Sequence, residues 1–258
     1  MNNTQQKLDA FARLLTIMDE LREQCPWDKK QTMESLRYLT IEETYELGDA
    51  ILENDLEEVK KELGDLLLHI VFYAKIGSES GDFDMADVAN DICEKLIRRH
   101  PHIYGDTKVR GEEDVKANWE KIKLQEGKKS VLEGVPASLP ALVKANRIQE
   151  KVAGVGFDWE HPDQVLLKVK EELDELEEAV GDADRDAVES ELGDVFFSMV
   201  NYARFLGVNP ENALERTNKK FIQRFRYLES HALKAGKKLS EMSLAEMDQY
   251  WEAAKQQE

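Results

Sequence analysis

Positive charge is what this chain has least of relative to its opposite. It carries 35 Lys and Arg against 53 Asp and Glu, a net charge of −18. That balance excludes nucleic acid and anionic membrane as partners, because each phosphate contact draws on a Lys or Arg. A free anionic ligand could approach only through a metal or a local basic cluster. The only cysteines, Cys25 and Cys93, form neither a CxxC nor a secreted disulfide framework, and read as reduced thiols of a cytoplasmic protein. No apolar signal segment opens the chain. The longest apolar runs, Leu66–Phe72 and Val195–Val200, are too short to cross a bilayer and read as buried helix segments. Gly (14) and Pro (6) are scarce and no strand pattern appears, so the expected fold is all-α.

What is present is helical periodicity broken by short turns. Leu8, Phe11, Leu14, Leu15 and Met18 make one stripe within Thr4–Arg22, and Cys25-Pro26-Trp27-Asp28 breaks it. A helix to about Leu52 is followed by the Asn54-Asp55 turn, with Asp55 as N-cap and Glu58 as its capping-box partner. The next helix is expected to stop near Ile76, at Gly77–Gly81. Asp84 opens a helix to Arg99, and Glu112–Gln125 reads as an amphipathic helix. After Gly154–Trp159 come acidic helices over Val165–Val180 and Val188–Leu206, separated by a turn at Asp182–Asp184. Asn209-Pro210 starts Glu211–Lys234, and Ser243-x-x-Glu246 is a capping box for the last helix. Gly127–Pro140, rich in Gly, Pro and Ser, is the expected linker between a domain over 1–126 and one over 141–258.

The two halves share an acidic signature at an offset of 129 residues. Glu42-Glu43-x-x-Glu46 with Glu62-x-x-Asp65 returns as Glu171-Glu172-x-x-Glu175 with Glu191-x-x-Asp194. Ile41–Ile76 aligns without a gap on Lys170–Phe205, with 14 identities in 36 positions. Residues three apart share a helix face, and a short turn sets two helices antiparallel. Glu43 and Glu46 therefore oppose Glu62 and Asp65, as Glu172 and Glu175 oppose Glu191 and Asp194. Four converging carboxylates repel unless a cation sits between them, and an all-oxygen set suits Mg²⁺. A di-iron bundle would use Glu-x-x-His in place of Glu-x-x-Asp.

A plainer account makes these acids solvated helix faces, with Glu43 capping Thr40. Repetition in register argues against it, as does the setting of Asp65 and Asp194 before apolar runs, at the expected edge of the core. Glu42 and Glu171 point about 100° away from their neighbours. Of the five histidines, His69 reads as a core residue, while His100 and His102 flank Pro101 at a helix end.

The pattern Glu-Glu-x-x-Glu…Glu-x-x-Asp resembles the hallmark of the MazG nucleoside triphosphate pyrophosphohydrolases, of the all-α NTP pyrophosphatase superfamily. The resemblance extends to Cys25-Pro26-Trp27-Asp28, Arg98-Arg99-His100-Pro101-His102, Gly156-Phe157-Asp158-Trp159 and the tandem layout. It implies two helical domains, each built on an antiparallel hairpin that pairs into a four-helix bundle, across subunits or between the repeats of one chain; a homodimer is the expectation. It also implies hydrolysis of NTPs and dNTPs at the α–β bond to monophosphate and pyrophosphate, with Mg²⁺, or Mn²⁺ in its place, as cofactor. Glu172, Glu175, Glu191 and Asp194 would be the catalytic metal ligands, with Glu43, Glu46, Glu62 and Asp65 as their counterparts in the first domain. Lys220 and Arg224, with Asn218 on the same helix, would meet the phosphates, and Trp251 would pack near the base or close the pocket.

The copies differ around the acids. Lys168 lies one turn before Glu172, able to reach a phosphate, whereas the matching residue of the first domain is Leu39. When Lys95 and Arg99 are set on Lys220 and Arg224, Cys93 replaces Asn218. The second domain is therefore expected to work as the enzyme, with the first structural, regulatory or weakly active. Two other readings stay open: an acidic helical adaptor with structural cation sites, and a hydrolase restricted to one nucleotide.

Overall fold

A computed structural model describes residues 2–256 apart from 112, 113, 116, 117, 120, 123–125 and 127–129. All regular structure among them is helical, in two compact units, Met1–Arg110 and Gly111–Glu258. Most of the amphipathic stretch expected over 112–125, and the start of 127–140, lie outside the described residues.

The first unit contains α1 (Thr4–Gln24), α2 (Met33–Glu53), α3 (Leu56–Ser80), α4 (Met85–Arg99) and the one-turn α5 (Pro101–Tyr104). Side-chain caps begin the four long helices: Asn3, Thr32, Asp55 and Asp84 each accept from backbone N–H groups of the first turn. Thr32 pairs with Ser35, which leaves Thr40 inside α2, so Glu43 is no capping partner. Asp55 caps as expected, but Glu58 turns to Lys61 instead of reaching back. Asn54, left-handed at φ 56°, closes α2 one residue before that cap. Thr40 and Tyr73 hydroxyls meet at 2.7 Å across α2 and α3. Met18, Leu36, Val71 and Phe72 form the core.

The helix expected to stop near Ile76 runs four residues further. Gly77 lies within it, where a Cβ would come within 2.8 Å of the Phe83 ring. That glycine serves a close approach, and the stop is Gly81, at φ 75°.

The second unit contains α6 (Ala141–Ala153), α7 (Pro162–Gly181), α8 (Arg185–Phe205), α9 (Pro210–Lys234) and α10 (Leu244–Lys255). The offset of 129 residues holds for the starts of α2 and α7 and of α3 and α8, and for the ends of α1 and α6. Asn209 caps α9 with Pro210 in its first turn, and Ser243 and Glu246 form the capping box of α10. Gln149 of α6, 4% exposed, donates to the Phe197 carbonyl of α8 at 2.8 Å.

The apolar runs of α3 and α8 are only half buried, contrary to expectation. Leu63, Leu67 and Ile70 are exposed, and so are the matching Leu192, Phe196 and Met199, the last three at 40%, 59% and 48%. Positions i, i+4 and i+7 form one stripe. Each helix buries one face in its own unit and leaves this second apolar face uncovered. No helix among the described residues is long and apolar enough to cross a membrane.

Candidate metal centre and phosphate site

Helix spacing brings three of the four expected acids together in each unit. Glu43, Glu46 and Glu62 each offer a carboxylate oxygen within 4.8 Å of the others, and Glu172, Glu175 and Glu191 do the same. Asp65 and Asp194 stand outside these triads, and both are exposed. The expectation that they mark the edge of the core is therefore wrong. The physical reason is that the apolar runs following them bury one face only, so that Leu63 and Leu192 beside them are exposed as well. Asp65 still acts on its neighbours through its charge, which helps to raise the pKa values of Glu43 and Glu62.

Burial is distributed differently in the two triads. In the first, Glu62 is 5% exposed and its Oε2 is buried without a hydrogen-bond partner. Burial, then the hydrogen bond with Glu43, pushes the Glu62 carboxyl above its ordinary value. Glu43 is raised too, first by burial and then by Asp65. In the second triad the buried member is Glu172, 7% exposed, and burial followed by the hydrogen bond to Glu172 raises Glu175. A set of carboxylates this close, one of them desolvated, favours either protons or a hard divalent cation. The orphaned Glu62 oxygen fits the second option, since buried acceptors are normally satisfied.

Lys168, which the sequence sets one turn before Glu172 and within reach of a phosphate, has its ammonium on the acids, 2.7 Å from Glu171 and 2.8 Å from Glu172. Those two hydrogen bonds raise its pKa well above the ordinary lysine range. Glu171, turned away from the triad as its register requires, thus holds the lysine from the side.

The remaining expected residues lie on α9 and α10. Lys220 and Arg224 share a face of α9 through their spacing of four. Asn218 donates to Glu215 at 3.1 Å. The Arg224 guanidinium lies over the Trp251 ring at 5.6 Å, and Phe221 packs against the same indole at 4.9 Å. Phe221 also stacks on Phe225 at 6.3 Å. This aromatic group was not read from the sequence, although the spacing of 221 and 225 carries the signal. His69 is buried, as expected, and burial lowers its pKa. His100 ends α4, its Nδ1 2.6 Å from the Leu96 carbonyl.

Comparison with known proteins gives one family for both acidic helix pairs. The family described as MazG nucleotide pyrophosphohydrolase domain matches residues 31–104 and again 160–228. A nucleoside triphosphate pyrophosphohydrolase of Escherichia coli (strain K12) is 43% identical over 260 residues, 97% of this chain and 99% of that protein. A protein of Thermotoga maritima named nucleoside triphosphate pyrophosphohydrolase/pyrophosphatase MazG is 47% identical over 250 residues, 95% of each chain. The crystal structure of a mazG-related protein from Thermotoga maritima aligns over 44% of this chain and 98% of that one, at 26% identity and a TM-score of 0.40. Each family match spans one pair of acidic helices, and the chain belongs to the MazG nucleotide pyrophosphohydrolase family, with two such domains in tandem.

Proposed function

We propose that the chain hydrolyses nucleoside and deoxynucleoside triphosphates at the α–β bond, releasing a nucleoside monophosphate and pyrophosphate, and that it depends on Mg²⁺, which Mn²⁺ can replace. The observation that carries this reading is the triad Glu172, Glu175 and Glu191 with Lys168 seated on it. The names of the full-length relatives support the reaction class.

Glu172, Glu175 and Glu191 would hold the metal, with Asp194 joining from its exposed position on the same face of α8. When bound, the metal neutralises the triphosphate and makes the attacking water more acidic. The chain's own residues do the rest. Lys168, 2.8 Å from Glu172, would turn its ammonium from the acids to a phosphate oxygen. Lys220 and Arg224 hold the remaining phosphates, with Asn218 beside them. Trp251, braced by Phe221, forms the wall for the base.

The first domain keeps Glu43, Glu46, Glu62 and Asp65 but has Leu39 in place of a lysine. We assign it a structural, regulatory or weakly active part, with cation binding at its triad. Domain limits of 1–126 and 141–258 with a linker over 127–140 go with this reading. The uncovered stripes on α3 and α8 support pairing of the helix hairpins into four-helix bundles, and so a homodimer. The two free cysteines agree with a cytoplasmic place of work.

Phosphorus NMR of the products from ATP, with Mg²⁺ and with EDTA, tests the reaction. Monophosphate and pyrophosphate appearing only with Mg²⁺ is the expected result; ADP and phosphate would put the cleavage at the wrong bond.

A further inference from the structure

The Gly156-Phe157-Asp158-Trp159 block plays no part in the chemistry above, yet it is tied to the catalytic helices. Asp158 accepts both arms of the Arg204 guanidinium, at 2.9 and 2.5 Å. Asn201 accepts from the same guanidinium at 2.8 and 3.1 Å, and the group lies over the Phe205 ring at 4.6 Å. The two side chains are 19% and 27% exposed. Asp158 precedes α7 and Arg204 ends α8, whereas the chain itself joins the two helices at their other end, through Asp182–Asp184. The fork therefore closes the end of the helix pair that has no covalent link.

The first unit makes the same closure with the roles exchanged. Arg22 of α1 forks onto Glu79 near the end of α3, at 2.8 Å for both arms. Its remaining nitrogen donates to the carbonyls of Asp28 and Gln31, in the segment leading into α2. At the offset of 129, Lys151 stands opposite Arg22 and Lys75 opposite Arg204. Each unit thus has one arginine and one lysine at these two positions, exchanged, and in each the bidentate fork belongs to the arginine. Lys75 instead pairs with Asp19 at 2.6 Å, and Lys151, 3% exposed, donates to the Val131 carbonyl at 2.9 Å. Two copies that reach one tether with different residues point to the tether itself as the requirement.

The triad explains the need. Glu172 and Glu175 stand on α7 and Glu191 on α8, so their repulsion acts across the helix pair and pushes it open. We infer that Asp158 and Arg204 are positioning residues for the metal: their fork holds α7 and α8 at the spacing at which Glu172, Glu175 and Glu191 close on one divalent cation. This rests on the reading of that triad as the metal site. A cation held by all three acids would itself tie the two helices together, so the fork matters most before loading. Its loss weakens metal affinity and leaves turnover at saturating metal unchanged.

The test is calorimetric titration of Mn²⁺ into the full chain without nucleotide, in a Glu46→Gln/Glu62→Gln background that silences the first triad. Asp158→Asn, Arg204→Gln, Arg204→Lys and the exchanged Asp158→Arg/Arg204→Asp are compared with that parent, with thermal unfolding run on each. The expected result is Mn²⁺ binding weaker by about fivefold in the single variants, recovered in the exchanged pair. The Mn²⁺ needed for half-maximal pyrophosphate release rises in parallel, and kcat at saturation stays at the parent value. Unchanged Mn²⁺ affinity in folded single variants overturns the inference, as does a fall in kcat with affinity intact. Should the single variants fail to fold, parent-like affinity in the exchanged pair supports it and weakened affinity there overturns it. A parent that binds no Mn²⁺ sinks the metal-site reading instead.

Discussion

Lys168 Nζ lies 2.8 Å from Glu172 Oε1, while Leu39 occupies the matching position in the first unit. A lysine on an acidic triad competes with metal there and is on hand for a phosphate once metal arrives. Replacing it with methionine keeps the length of the stem and removes the charge. Lys168→Met is expected to raise KM for the nucleoside triphosphate by about tenfold, the order of one charge-assisted hydrogen bond, and to leave Mn²⁺ binding in the absence of nucleotide as tight or tighter. Steady-state kinetics beside calorimetry checks this; an unchanged KM would make the lysine a neutraliser of Glu171 and Glu172 alone.

The turns of the two helix pairs differ by one residue of consequence. Asn54 and Ala183 both adopt left-handed backbone, at φ 56° and 55°, just before their capping aspartates. Asparagine tolerates that region and alanine is strained in it. Ala183→Asn is expected to stabilise the second unit by about 0.5–1 kcal/mol. Thermal unfolding would register a rise of roughly 2 °C or more. An unchanged or lower midpoint would mean that the strain is relieved elsewhere.

Much of this architecture was legible because its signals are local. Caps such as Asp55, Asn209 and Ser243, and the three-residue spacing of the acids, are set by neighbours along one helix. What failed depends on neighbours far apart in sequence. Gly77 reads as a helix stop until Phe83 is found against it. Asp158 and Arg204 lie 46 residues apart, so the block was visible but its partner was not. Asp65 and Asp194 looked half-buried because apolar runs follow them, yet those runs keep a second face open. Lys168, by contrast, stands three and four residues before Glu171 and Glu172, so its pairing with them is a local signal.

The helix that carries Trp251 is held at its start by Glu246, which meets Lys237 at 2.7 Å and caps at Ser243. The hydrogen bond from Lys237, then that from the Ser243 backbone, lowers the Glu246 pKa to about 2. A carboxylate depressed on folding stabilises fully above its unfolded value and loses that contribution as pH falls toward its folded value. The melting temperature of Glu246→Gln is therefore expected to lie below that of the parent at pH 6, the gap closing as pH falls from about 4.5 to 2. A gap independent of pH would contradict the linkage.

The apolar stripe of Leu192, Phe196 and Met199 calls for a partner. Phe196→Asp puts a charge at its centre, and a buried unpaired charge is not tolerated at such an interface. Light scattering is expected to give a dimer for the parent and half that mass for the variant. A parent that is already monomeric would mean that the stripe is covered within one chain or left open.

Metal-dependent cleavage is assigned to the second triad and not to the first. Pyrophosphate and monophosphate release from a panel of NTPs and dNTPs, measured on Glu175→Ala and Glu46→Ala beside the parent, tests it most directly. Glu175→Ala is expected to lose turnover while staying folded, and Glu46→Ala to retain most of it. Loss in Glu46→Ala with turnover intact in Glu175→Ala would contradict it outright.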